Sequence, residues 1–202
     1  MKRLLACIMT IMFLISMFSI AMATDIPGGR YKIGEDIPAG AYSITVKKGS
    51  TNLTVWGSRY EDFSADGGLL LNTVINRKNP TLGKVILNTG NVIDFSTALT
   101  FEKYKVTKRN WEQANTIPGG RYTVGEDIPA GSYNVSIKDG STNLTVWGYA
   151  YEDFRTDGGL LLNVVVSKRS NPELGKVLLE EGNVIDFDSP LVFAPFKGFS
   201  FD

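Results

Sequence analysis

The 202-residue chain carries one passage twice, Ile26 to Phe101 and again Ile117 to Phe193, at a shift of 91 residues that becomes 92 after one insertion near Ser170. Roughly two thirds of the aligned positions are identical, so the two stretches are expected to take one fold. Each copy is on the order of 80–90 residues, enough for a small domain with its own core. Between them, Glu102 to Thr116 is more charged and lacks glycine and proline. Its first half reads as the end of the last strand of copy one, and Trp111 as an anchor for the rest. The expected organisation is a leader over 1–23, a first β-domain over 24–105, a linker over 106–116 and a second β-domain over 117–202.

The pattern inside each copy is β throughout. In Tyr42 to Val46, apolar Tyr42, Ile44 and Val46 alternate with Ser43 and Thr45, and Tyr133, Val135 and Ile137 repeat the alternation. A period of two places one face in a core and the other in water. Leu53 and Val55 alternate with Thr54 and Trp56 in the same way. Leu69 to Ile75 is almost continuously apolar and reads as a strand buried on both faces. Lys84 to Asn88 and Asn91 to Phe95, divided by Thr89-Gly90, read as a hairpin. Six or seven short strands per copy, with no helical period, predict two tandem antiparallel β-sandwiches of jelly-roll-like form, or two small barrels.

The first 23 residues read as a secretory signal: Lys2 and Arg3, an apolar run from Leu4 to Ile20, then the small-x-small ending Ala21-Met22-Ala23. The ending favours cleavage before Thr24 over an uncleaved anchor, and Cys7 sits ahead of most of the apolar run rather than after it, which argues against a lipoprotein signal. The expected location is secreted or extracytoplasmic, periplasmic in a Gram-negative host, with no stable membrane insertion after cleavage. Cys7 is the one cysteine and there is no histidine, so the cleaved chain lacks disulfides, thiol catalysis and Ser-His triads. Of 21 basic residues, loss of Lys2 and Arg3 leaves 19 against 21 acidic, a net charge of −2. Such a balance gives no footprint for nucleic acid.

The phrase Gly34 to Tyr42, GEDIPAGAY, returns as Gly125 to Tyr133, GEDIPAGSY. With Tyr31 and Tyr122 ahead of it, it resembles the Y-x-V-G-x-D-I-P-A-G-x-Y signature of secreted and surface-attached bacterial β-domains, mostly of unknown function. Leu87 to Phe95 and Leu179 to Phe187 echo a later L-x-x-G-x-V-I-x-F feature of that group. The resemblance implies an all-β extracytoplasmic module and brings no catalytic residues. Read on its own chemistry, the phrase is a turn. Pro38 fits the second position of a type I turn closed by Gly40, Pro27-Gly28 fits type II, and Asp36 is placed to accept a backbone N–H. Glu35 is expected in solvent.

The best candidate for a ligand site lies downstream, in Trp56 to Gly68 and its copy Trp147 to Gly159. Here Trp56, Tyr60, Glu61, Asp62 and Asp66, and in the second copy Trp147, Tyr151, Glu152, Asp153 and Asp157, set flat rings beside carboxylates. Rings that stack on pyranose C–H faces, with carboxylates accepting hydroxyl hydrogen bonds, are the chemistry of a sugar site. The competing expectation is that the tryptophans simply cap the core. The same acids raise the idea of a Ca²⁺ site, on composition alone because EF-hand spacing is absent. No other cofactor is expected. Glu61 with Asp94 could form a glycosidase pair, but Asp94 and Asp186, within V-I-D-F, are expected on the outward face of a strand. The expectation is therefore a non-catalytic exported binding or interaction module, with a cell-surface glycan or protein as partner. The alternative is a structural or assembly protein packing through its duplicated domains, and a carboxylate-dependent glycoside hydrolase ranks last.

Overall fold

The computed structural model describes residues 23–57, 68–148 and 159–198. All the regular elements among them are strands, and no helix there is long and apolar enough to cross a membrane. In the first copy these are Thr24–Ile26 (β1), Gly29–Lys32 (β2), Gly40–Val46 (β3), Ser50–Trp56 (β4), Leu69–Asn76 (β5), Thr81–Leu87 (β6), Val92–Phe95 (β7) and Leu99–Lys103 (β8). The second copy repeats the series as Asn115–Ile117 (β9), Gly119–Thr123 (β10), Gly131–Ile137 (β11), Ser141–Trp147 (β12), Leu160–Ser167 (β13), Glu173–Leu179 (β14), Val184–Phe187 (β15) and Leu191–Pro195 (β16). Among the described residues each copy thus holds eight strands rather than six or seven. The short strand expected over Arg30 to Ile33 is present as β2, and the one beyond the expected count, β1 with its counterpart β9, is too short to show a period. β9 begins inside the stretch expected to be linker.

The pairing nests around the innermost hairpin. β4 pairs with β5, β3 with β6, β2 with β7 and β1 with β8, all antiparallel, as if one long hairpin were rolled up. The roll divides into two four-stranded sheets, β1-β8-β3-β6 and β2-β7-β4-β5, the arrangement of a jelly roll. The second copy has the same two orders, β9-β16-β11-β14 and β10-β15-β12-β13. The expected sandwich is present.

Alternation sets the core. Ile44 and Val46 of β3 face Leu53 and Val55 of β4 and Ile93 of β7 across the layers, and each of these is buried. An equivalent cluster in the second copy gathers Val135, Ile137, Leu144, Val146 and Ile185, with Trp111 of the linker edge-on to Tyr133 at 5.9 Å. Two separate cores therefore form, one from each copy.

Four expectations change. Leu69 to Ile75 is not buried on both faces: β5 is an outer strand of its sheet, and Val74 is 56% exposed, as is Val165 in β13. An antiparallel edge strand packs one face on the core and leaves the other wet. β6 and β7 do not form a hairpin either, because they belong to opposite sheets. Thr89-Gly90 carries the chain across the sandwich, with Gly90 at φ 89° and the buried Asn91 side chain accepting the Asn88 N–H at 2.7 Å.

The hydrogen-bonded turn also lies ahead of the IPAG residues, at Gly34 to Asp36, rather than on Ile37 to Gly40. Gly34, at φ 95°, makes the turn and donates to the Ile37 carbonyl at 2.7 Å, while Asp36 accepts the Lys32 N–H at 2.8 Å. Asp36 thus pins the turn as its chemistry requires. Pro38 instead offers its carbonyl to the Tyr42 hydroxyl at 2.6 Å. Gly28 is not among the positive-φ glycines. A Cβ there would meet the Ser96 carbonyl oxygen at 2.3 Å, so close backbone approach is what excludes a side chain.

Candidate functional site

The two sandwiches are joined edge to edge. β6, the outer strand of one sheet of the first copy, pairs in parallel with β10 of the second, so that β1-β8-β3-β6-β10-β15-β12-β13 is one continuous eight-stranded sheet. The docking point is a bulge in β6. Between Tyr42↔Val85 and Ile44↔Leu82 one residue of β3 faces two of β6, and these are Gly83 and Lys84. A bulge bends a strand and re-aims a side chain. Here it sends Lys84 into the junction.

Lys84 is 7% exposed and its ammonium pairs with Asp127, which is 4% exposed. The other Asp127 oxygen accepts the Tyr104 hydroxyl at 2.8 Å, and the Lys84 partner oxygen also accepts the Thr123 N–H at 2.8 Å. The aspartate that pins the GEDIPAG turn of the second copy is therefore also the counter-charge for a lysine of the first. Burial, followed by the hydrogen bond to Asp127, pushes the Tyr104 phenol well above the usual tyrosine range. Burial does the same to Tyr122. Both hydroxyls stay protonated as donors.

Beside this junction a cleft of about 300 Å³ opens between the domains. The first domain contributes Leu70 and Leu71 of β5 and Lys84 to Ile86 of β6; the second contributes Arg121, Asp186 and Asp188. The polar floor follows from register. Ile185 and Phe187 point into the core, so Asp186 points out, flanked by Arg121 on β10 and Thr145 on β12, both directly opposite it. Arg121 Nε donates to Asp186 Oδ1 at 2.9 Å.

The first copy builds the same pair. Arg30 Nε donates to Asp94 Oδ1 at 2.7 Å, and Trp56 Nε1 donates to Asp94 Oδ2 at 3.1 Å. There the arginine side chain is 59% exposed, against 26% for Arg121, because only the second copy's pair is covered by a neighbouring domain. Asp188 stands at the solvent-exposed rim, yet enough protein crowds it that desolvation, then the nearby Asp186 carboxylate, raises its pKa above the ordinary aspartate value.

Of the residues singled out in the sequence, Trp56 and Trp147 are described, and each is only 5% exposed. A register shift at Val55/Trp56, repeated at Val146/Trp147, withdraws two successive residues of each strand from solvent. Neither indole offers a free face for stacking on a sugar, so the capping alternative describes them. Trp147 forms part of the cleft wall instead. Tyr60, Glu61, Asp62, Asp66, Tyr151, Glu152, Asp153 and Asp157 lie outside the described residues. Asp94 and Asp186 face outward as expected, each ion-paired to an arginine. Lys84, Tyr104, Arg121 and Asp188 were not marked by sequence reasoning. Within either copy nothing distinguishes Lys84 from a solvated strand lysine; only its neighbour in the other domain does.

In comparisons with family models, curated proteins and solved structures, nothing matches the chain.

Proposed function

We propose that the protein is an exported, non-catalytic binding module that takes a small polar ligand, such as the terminal residues of a cell-surface glycan, in the cleft between its two sandwiches. The observation that carries this reading is the cleft itself: an aliphatic wall at Leu70 and Leu71 facing the fixed Arg121–Asp186 pair across about 300 Å³. An apolar wall with a few convergent polar anchors at a domain boundary is the common form of a small-ligand site. The absence of histidine, and of cysteine beyond Cys7, supports binding over turnover. The signal-like first 23 residues and the resemblance to surface-attached bacterial modules support export.

Titration of the exported protein with soluble cell-wall glycan fragments, followed by backbone NMR, tests the reading. Shifts are expected at Leu70, Leu71, Arg121 and Asp188. Arg121→Met is expected to weaken binding about 10–100-fold, the worth of a charge-assisted hydrogen bond. Shifts confined to residues 58–67 and 149–158 would move the site to the YEDF loops, and no shifts with any fragment would overturn the reading.

A further inference from the structure

The junction between the domains is heterologous: it joins the bulged edge of β6 to the outer edge of β10, two unlike surfaces. Because the chain is duplicated, each half of that junction exists a second time, at an edge with no strand beside it among the described residues. The counterpart of β6 is β14, the end strand of β14-β11-β16-β9. The counterpart of β10 is β2, the end strand of β2-β7-β4-β5. One end of the molecule thus carries a spare copy of the first half, and the other a spare copy of the second.

Both spare halves are preformed. β14 has the same bulge, with Gly175 and Lys176 standing opposite one residue of β11 between Tyr133↔Val177 and Val135↔Leu174. Lys176 Nζ lies 5.4 Å above the Phe196 ring, as Lys84 Nζ lies 5.1 Å above that of Tyr104. At the other end, Tyr31 donates to the Pro27 carbonyl at 2.8 Å, as Tyr122 does to Pro118 at 2.8 Å. Asp36 accepts the Lys32 N–H at 2.8 Å, as Asp127 accepts that of Thr123 at 2.8 Å. What differs is cover. Lys84 and Asp127 are buried, whereas Lys176 and Asp36 are exposed. The charges remain complementary, a cation on one end and a carboxylate on the other.

We propose that a second copy of this chain docks its β2 edge on β14, pairing its Asp36 with Lys176, and that repetition gives head-to-tail chains. A heterologous contact that is not closed by a rotation propagates as an open assembly, and an unpaired strand edge is a template for such pairing. Phe196 stands where Tyr104 stands in the internal junction, so the contact between copies lacks the hydroxyl hydrogen bond to the carboxylate. It also lacks the tether that raises local concentration inside one chain. The assembly is therefore weaker than the internal junction and depends on concentration. It stands apart from the cleft reading, because it needs no ligand and uses neither Arg121 nor Asp186.

Sedimentation of the ligand-free exported protein over a wide concentration range tests it. The average mass is expected to climb past that of a dimer for the wild type. Lys176→Glu, which sets a carboxylate against Asp36, and Gly175→Val, which crowds the bulge, are both expected to keep the chain monomeric while its circular dichroism is unchanged. The double variant Lys176→Glu/Asp36→Lys restores an opposite-charge pair and is expected to recover assembly. A wild type that stays monomeric throughout, association that stops at a dimer, or association indifferent to Lys176→Glu and Gly175→Val would each overturn the proposal. A chain that binds glycan yet stays monomeric fails here alone.

Discussion

Lys84→Met is expected to destabilise the joined molecule by about 3–5 kcal/mol, the usual consequence of stranding one member of a buried ion pair. Asp127, 4% exposed, is left with the Tyr104 hydroxyl and the Thr123 N–H as its remaining donors among the described residues. Two neutral donors do not replace an ammonium in a site that excludes water. The double variant Lys84→Met/Asp127→Asn removes the stranded charge, and its amide oxygen can still accept the Thr123 N–H. It is expected to recover most or all of the loss, since buried pairs exchanged for well-packed neutral groups are often neutral or stabilising. Denaturant unfolding of the three proteins measures both steps. A single variant as stable as wild type would show that the pair is not buried in solution.

Gly83→Val is expected to separate the two domains. A Cβ at Gly83 would stand 2.1 Å from the Tyr122 hydroxyl oxygen and 3.2 Å from Pro118 Cβ. Tyr122 cannot swing aside, because its ring is 3% exposed and stacked on Phe187 at 5.6 Å. Overpacking alone costs about 1–3 kcal/mol, and displacing β10 also forfeits the β6 pairing and the Lys84–Asp127 contact. Each sandwich retains its own core, so the expected result is two intact domains on an exposed linker. Rapid tryptic cleavage at Lys105, Lys108 or Arg109 would report it. Gly175→Val is the matched control. It stands at the same place in the repeat but is exposed, and valine suits a strand, so linker cleavage and unfolding are expected to stay at the wild-type level.

The sandwich was legible because local rules decide it. Alternation in Tyr42 to Val46 and Tyr133 to Ile137 fixed which side chains enter the core, and the duplication fixed that this happens twice. The misreadings of the strands turn on where each strand sits in its sheet, which local pattern does not report. Lys84 to Phe95 looks like a hairpin because the turn at Thr89-Gly90 is tight, yet the two strands bond to β3 and β2 instead. Leu69 to Ile75 looks doubly buried because the edge strand keeps exposed Val74 among its leucines. Asp36 and Asp127 were readable as turn pins, and both are.

The junction and the cleft beside it were not legible for a further reason. A repeat gives its two copies the same residues, but the junction gives them different surroundings. Lys84 and Lys176 are one position in sequence and two environments in space, one covered and one open. Arg30 and Arg121 differ in the same way. No pattern within a copy encodes that difference, because it arises from which edge meets which.

Hydrogen exchange tests the continuous sheet most directly, at concentrations where copies stay apart. The outward amides of β6 and of β14 belong to equivalent strands and differ only in whether a neighbour covers them. Slow exchange is expected along β6 and β10, with protection rising toward that of the cores, and fast exchange at the corresponding amides of β14 and β2. Equal, fast exchange at both pairs of edges would contradict it, leaving two sandwiches on a tether with no shared sheet and no cleft between them.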